Sequence, residues 1–404
     1  EGSMSDPDER NEFVEPYLTW NAMRPQLPCK LSDLVTPAFI VDISIVKRNC
    51  ELMIAKAKSS GVRLRPHVKT HKTIEIAKMQ VGGDLNNGIV CSTLSEVSFF
   101  ASNGFTDITY GIPITFMKLL PLYQISNKTG CKISLIVDSV VQLDELKAFF
   151  GNQKNAHFGC FLKIDTGYHR AGVDVKLHKE IGLEIARRIS QETNLTFRGV
   201  YSHSGHGYHA LDTADAQRIS FEECKEAKLF TEFLRENSIN CETISVGSTP
   251  SCGSSDQFPG ATEIHPGNYV FFDRQQVQAG ACKEADIAVC VLTRVIGHYE
   301  SSGHMLCDAG SLAMSKDLAT QDDHLGAVEG CDLVLQSVSQ ECGKLMMKQP
   351  ENGKRPAFNM DDHPRGSLLK IIPNHSCLTA ACHPLYYIVE NDTVIDVYKP
   401  CRGW

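Results

Sequence analysis

Short runs rich in β-branched and apolar residues recur between Val62 and Asp273, and each is separated from the next by a helix-length stretch of mixed apolar and polar positions. The runs are VRLRPHVK (62–69), GIVCST (88–93), DITYGI (107–112), KISLIVD (132–138), HFGCFLKID (157–165), TFRGVYSH (196–203), TISVGST (243–249) and EIHPGNYVFFD (263–273). Alternation of strand and helix predicts parallel pairing, and eight such units fit a closed (β/α)8 barrel of the TIM type, with a doubly wound open sheet as the alternative. After about Gly280 the texture changes to runs such as ADIAVCVLTRVIGHY, GHMLCDAG, SLLKIIP and TVIDVYK, with turn residues between them and little helical periodicity. This pattern predicts a mostly antiparallel β domain. The expected organisation is a mobile tail over 1–30, a barrel over 31–278 and a β domain over 279–404, with TPAFIVD (36–42) a strand of the second domain that precedes the barrel.

Composition narrows the function classes. The 404 residues are 42% hydrophobic and 22% charged, as in an ordinary soluble globule. A net charge of −8 gives no sequence-wide basic field, which argues against nucleic acid as a partner. No apolar run approaches the roughly 20 residues a bilayer-spanning helix needs, and no basic-then-apolar leader opens the chain, so no membrane partner and a cytoplasmic location are expected. The 16 cysteines are scattered without a dense framework and read as thiols.

Several strand ends carry chemistry. Lys69 follows Val62-Arg63-Leu64-Arg65 at the rim of the expected barrel, where desolvation can lower the pKa of an imine-forming amine. Arg170 lies in KIDTGYHRAGV at the end of the fifth strand, and VYSHSGHGYH (200–209) brings Tyr201 and His203 to the end of the sixth. The seventh and eighth strands close in VGSTPS and HPGNYVFFD. Gly247 and Gly267 let the backbone approach an anion there, and Ser248, Thr249 and Asn268 add donors, so the pair of turns reads as a phosphate cradle. Far downstream, His375 and Cys377 are one residue apart in IIPNHSCLTAACH; on an extended segment both would face one metal ion, with the nearby Cys382 and His383 not taking part.

These segments resemble the fold type III pyridoxal-phosphate enzymes, and within them the eukaryotic D-serine dehydratases and the related D-threonine aldolases. RPHVKTHK is similar to their cofactor segment, which makes Lys69 the Schiff-base lysine and catalytic base. KIDTGYHRAG resembles a KxDTGxxRxG motif in which the arginine, here Arg170, contacts the phenolic oxygen of the cofactor. The resemblance also implies that His203 lies against the pyridine ring and Tyr201 at its nitrogen. PNHSC is similar to the zinc-binding segment of the dehydratases, which makes His375 and Cys377 ligands of Zn2+; D-threonine aldolases carry aspartate in place of Cys377, and thiolate favours zinc. Racemases carry Arg-Pro-Gly where this chain has His265-Pro266-Gly267. The likeness spans about residues 30–404 and implies a barrel followed by a β domain, a homodimer, and zinc-assisted elimination of water from D-serine to give pyruvate and ammonia, with D-threonine a further candidate substrate.

Other readings remain at this point. An aldolase would use the same cofactor and a nearby metal. A racemase would need a second base opposite Lys69. A non-catalytic pyridoxal-phosphate carrier would need Lys69 and the cradle but no metal pair, and a metal-dependent hydrolase would draw on His67, His71 and the histidines of 203–209.

Overall fold

The computed structural model describes residues 25–404 except 351–352, 354–355 and 357–358. Of the expected tail over 1–30, residues 1–24 lie outside the described residues, whereas Cys29–Lys30 form strand β1. Strand β2 (Ala38–Asp42) follows, and Asp42 caps helix α1 (Ile43–Ser59) by accepting from the Ser44 and Ile45 N–H groups at 2.9 and 3.1 Å.

The barrel strands then arrive in chain order: β3 (Arg63–Leu64), β4 (Ile89–Cys91), β5 (Asp107–Pro113), β6 (Lys132–Val137), β7 (Phe158–Asp165), with the short β8 (Val173–Asp174) added to it, β9 (Leu195–Tyr201), β10 (Thr243–Val246) and β11 (Glu263–Ile264). All neighbours are parallel, and the order runs β3-β11-β10-β9-β7-β6-β5-β4. The ring is completed where His67 bridges Val90, with the Val68 N–H on the Val90 carbonyl at 3.0 Å and the Val90 N–H on the Pro66 carbonyl at 2.9 Å. The open-sheet alternative therefore falls. Each predicted run contains a barrel strand, but the last is mostly not extended: only Glu263–Ile264 pair, because Pro266 has no N–H to give and residues 268–270 wind into a 3-10 turn.

Between these strands lie α2 (Ile74–Gln80), α3 (Leu94–Ser102), α4 (Phe116–Thr129), α5 (Val140–Asn152), α6 (Lys179–Gln191), α7 (Thr213–Glu236) and the short α8 (Thr249–Ser254). Local sequence sets their limits. Ser139 and Gln142 form a capping box at the start of α5, and Gly130, at φ 72°, ends α4 in the left-handed conformation that a Cβ would strain. In α6, Leu183, Ile185, Ala186 and Ile189 are buried against the barrel while the charged positions face water.

The chain leaves the barrel through α9 (Arg274–Gln278) into β12 (Val289–Tyr299), β13 (His304–Cys307), helix α10 (Ser311–Met314), β14 (Gly326–Val328), β15 (Leu333–Val338), β16 (Gly343–Met347) and β17 (Leu368–Pro373). These strands are antiparallel, and β17 returns to pair with β12, so this sheet also closes on itself. Helix α11 (Ser376–Ala381) and strands β18 (Tyr386–Glu390) and β19 (Thr393–Tyr398) follow. The run expected at 36–42 supplies β2, which lies between β12 and β18. The N-terminal segment thus stitches the second sheet to the barrel before the barrel begins. No helix among the described residues is long and apolar enough to cross a membrane, and all 16 cysteines are unpaired thiols.

Candidate active site

The strand ends of the barrel and the start of α11 enclose a cleft of about 470 Å³. Lys69, Ser92, Tyr168, Arg170, His203 and Tyr208 line it from the barrel, and Asp317, His375, Cys377 and Leu378 line it from the other side.

Lys69 is placed by the residues just before it. The Lys69 N–H donates to His67 Nδ1 at 3.3 Å, which puts the imidazole proton on Nε2, where Ser92 Oγ accepts at 3.1 Å. Burial first and the Lys69 ammonium second push the His67 pKa well down, so the ring is neutral. His203 is neutral for the same two reasons, and its Nδ1–H donates to the Gly247 carbonyl at 3.1 Å. Arg170 is an exposed residue at the cleft rim, its guanidinium 4.9 Å from the centre of the Tyr168 ring.

Tyr201 does not line the cleft. It is buried one layer deeper, stacked on His265 at 4.0 Å and 12°, with its edge toward Phe161. Side chains two apart on β9 share a face, so Tyr201 points into the barrel beneath the level that His203, past the strand end, occupies. Lys163 was not assigned a role from sequence, yet it also points inward, 5.1 Å above the Tyr201 ring and 4% exposed. Burial, then the Arg170 charge, lower its pKa to about 8. The available signal was a lysine at an inward position of the apolar run HFGCFLKID.

The two expected phosphate turns meet. The Gly267 and Asn268 N–H groups donate to Thr249 Oγ1 at 3.2 and 2.9 Å, while Ser248 Oγ lies 3.1 Å from Ser251 Oγ and 3.4 Å from Ser204 Oγ. At Gly247, with φ at 117°, an added Cβ would fall 2.5 Å from Cys252 Sγ, and one at Gly267 would fall 2.9 Å from His67. This buried knot of donors needs both glycines to form, and a phosphate oxygen could take the place of the contacts the donors now make with one another. The Asn268 side chain faces elsewhere: its Nδ2 donates to Asp273 at 2.7 Å, to Ser376 Oγ at 2.9 Å and to Cys377 Sγ at 3.4 Å.

The expectation of an extended His-x-Cys segment is corrected. His375 has extended backbone, but it caps α11, and Cys377 already lies in the first turn of that helix. The buried Asp273 carboxylate starts the helix by accepting from Ser376 N–H at 2.9 Å and Ser376 Oγ at 3.1 Å. The two side chains still line the same cleft. His375 Nδ1 donates to Asp317 at 2.5 Å, a partner that sequence did not reveal. Burial opposes the charge on His375, but Asp317 and Cys377 together raise its pKa to about 11; burial likewise opposes thiolate at Cys377, and His375 outweighs it to lower that pKa. Thr70 Oγ1 lies 3.1 Å from Cys377 Sγ. Among the described residues no group of three or more His, Cys, Asp and Glu side chains is arranged to hold a metal. An imidazole and a thiol with a carboxylate on the far ring nitrogen is a donor set suited to zinc with positions left open, once the metal displaces the imidazole proton. Cys382 and His383 lie outside the cleft, the latter buried with Nε2 2.8 Å from the Ala313 carbonyl.

Comparison with known proteins agrees with this architecture. Residues 41–275 match the alanine racemase N-terminal domain and residues 288–389 a serine dehydratase domain. D-serine dehydratase of Dictyostelium discoideum is 36% identical over 396 residues, covering 93% of this chain and 98% of the relative. D-threo-3-hydroxyaspartate dehydratase of Delftia sp. is 35% identical over 388 residues, covering 93% and 99%. Its solved structure superposes with a TM-score of 0.86 over 93% of this chain and all of the other. The chain belongs to the fold type III, pyridoxal-phosphate-dependent family in which an alanine-racemase-type barrel is joined to a serine dehydratase domain.

Proposed function

We propose that this protein is a zinc-assisted, pyridoxal-phosphate-dependent dehydratase that converts D-serine to pyruvate and ammonia. The observation that carries the reading is that Lys69 and the His375–Cys377 pair line one cleft. Elimination of water needs both a base at Cα and help for a poor leaving group at Cβ. The relatives named as D-serine and D-threo-3-hydroxyaspartate dehydratases support it, and so does a structure of the latter, a cysteine-to-alanine mutant described as metal-free.

Pyridoxal phosphate, when bound, supplies an electron sink that acidifies the Cα–H of an amino acid joined to it. Lys69 would hold the cofactor, and its Nζ would be the base that takes the Cα proton. Ser248 and Thr249 hydroxyls with the backbone of Gly247, Gly267 and Asn268 hold the phosphate. Arg170 would donate to the phenolic oxygen, and the neutral His203 ring would lie against the pyridine without adding a charge. His375 and Cys377 would hold zinc, which would supply a Lewis acid for the hydroxyl that departs. Asp317 fixes the His375 ring so that the other nitrogen faces the metal. The barrel over 31–278 and the β domain over 279–404 each contribute one half of this site. We assign the protein to the cytoplasm as a homodimer acting on small β-hydroxy D-amino acids, without nucleic-acid or membrane partners.

The test is pyruvate release from D- and L-serine with and without chelator. D-serine turnover that stops on chelation is expected, with less inhibition for β-chloro-D-alanine, whose leaving group needs less assistance. Full D-serine turnover in metal-free protein would remove zinc from the reading; no turnover of either serine enantiomer in zinc-loaded protein would remove the dehydratase.

A further inference from the structure

Beyond β19, residues Lys399–Trp404 leave the sheet and run back to the cleft. The Cys401 N–H donates to the Lys72 carbonyl at 2.7 Å, three residues past Lys69. The next residue reaches the opposite wall: one terminal nitrogen of Arg402 donates to the Ala380 carbonyl at 2.7 Å, to the His383 carbonyl, and to the Tyr386 hydroxyl at 3.3 Å. Ala380 is in the last turn of α11; its carbonyl also accepts from the His383 N–H at 3.1 Å and the Tyr386 hydroxyl at 3.4 Å, and a cation complements the helix end. Cys377 is in the first turn of the same six-residue helix. The Trp404 carbonyl then accepts from Ser95 Oγ at 2.9 Å, which brings this 91%-exposed residue to the rim of the cleft.

A helix this short has no orientation of its own and takes it from what holds its ends. Asp273 holds the first turn and Arg402 the last, while the residue before Arg402 is bonded to the loop that carries Lys69. We propose that residues 401–404 are a strap that sets the position of Cys377 relative to Lys69, with Arg402 as a positioning residue for the elimination and Trp404 as a wall of the cleft that limits substrate size. The kinetic half of this inference rests on the dehydratase reading above; the geometric half does not.

Arg402→Ala and Arg402→Lys in the full-length, cofactor-loaded protein test it. A lysine ammonium carries three donors and can meet the same acceptors. Arg402→Ala should lower kcat for D-serine on the order of tenfold while KM and cofactor absorbance hold, as expected when reacting groups are misplaced by a fraction of an ångström; Arg402→Lys should recover most of it. In chelated protein, peptide-level mass spectrometry should show Cys377 alkylated several-fold faster in Arg402→Ala than in the parent, with the buried Cys160 and Cys224 unchanged. Parental kcat and parental Cys377 alkylation in Arg402→Ala would overturn the strap. So would equal acceleration at all three cysteines, which is loss of stability and not of position. If the parent fails to turn over D-serine but the selective alkylation is seen, the dehydratase reading falls and the strap stands. For the wall, Trp404→Ala should raise the D-threonine to D-serine ratio of kcat/KM several-fold; an unchanged ratio would remove Trp404 from substrate selection.

Discussion

At the N-terminal end of the barrel strands, Arg65 is fully buried between Glu263, at 2.9 Å from its Nε, and Asp107, which takes both terminal nitrogens at 2.9 Å. At the C-terminal end, His67, His203 and His265 are packed around the cleft floor with no carboxylate partner among the described residues, and burial together with neighbouring lysines pushes all three pKa values down. One end hides charge by pairing it. The other keeps these three rings neutral and leaves the amine of Lys69 facing open space, with paired charge set to the side of it in Lys72–Glu96 and His375–Asp317. Asp107 shows the balance at the first end, where Arg65 outweighs burial and holds the carboxyl below its ordinary range. Paired buried charges rigidify a fold, whereas unpaired titratable groups in a cleft are free to exchange protons with a ligand. The first end therefore serves stability and the second serves chemistry.

The strongest way to break this division is Lys69→Ala. It should abolish turnover and the absorbance of protein-bound cofactor, with thermal unfolding close to the parent, since the side chain is truncated at an open cleft. If borohydride reduction and peptide mapping label Lys72 or Lys163 instead, the assignment at the catalytic end is wrong. Arg65→Met should do the reverse. It removes the buried cation between Glu263 and Asp107 and leaves only the longer contacts from Arg63 and Arg198, which costs about 3 kcal/mol of stability, while activity per folded molecule survives at low temperature. Urea titration reads the first and a cold assay the second; loss of activity without loss of stability would show that the two ends are not separate.

The asymmetry also explains what was legible beforehand. The eight barrel strands could be read because buried parallel strands are continuous apolar runs, and the place of Lys69, Arg170 and His203 at the cleft could be read because they follow such runs at the strand ends. The Arg65 network could not, since its partners lie 42 and 198 residues away in sequence and a charged residue inside VRLRPHVK looks like surface. Asp317 was hidden in the same way, 58 residues before His375. The strands at 326–328, 333–338 and 343–347 went unseen because they are short and mix polar with apolar positions. The depth of Tyr201 along the barrel axis was not legible either, because sequence gives the face of a strand but not the distance from its mouth.

A smaller effect is expected at the rim. Arg170→Ala removes a cation that can form a charge-assisted hydrogen bond to a cofactor oxygen, so cofactor affinity should fall on the order of tenfold. Fluorescence titration with pyridoxal phosphate measures it, and an unchanged affinity together with an unchanged absorbance titration would leave Arg170 as a stacking partner of Tyr168 alone. This variant sharpens the comparison because Arg170, unlike Arg65, has no carboxylate to leave behind.

Acid should separate the two ends by the pH at which each fails. His71 lies just past Lys69 with its Nδ1 accepting from the Thr73 N–H at 3.0 Å and Nε2 2.9 Å from Gln80 Oε1, and burial lowers its pKa from 6.5 to about 4. Between those two values the unfolded chain binds a proton that the folded chain does not, so stability falls as pH drops through that window and levels off below it. Asp107 behaves differently. Its folded pKa lies below the unfolded value of 3.8, so its contribution is complete above that pH and is lost only in stronger acid. Urea midpoints measured from pH 7 to pH 3 should therefore decline first through the histidine window. His71→Gln should make that part of the curve shallower, the rest being carried by His67, His203 and His265, and Asp107→Asn should lower stability at pH 7 while leaving the decline between 6.5 and 4 in place. A His71→Gln profile that is parallel to the parent would mean that His71 has no share in the onset of acid unfolding, which would then fall to His67, His203 and His265.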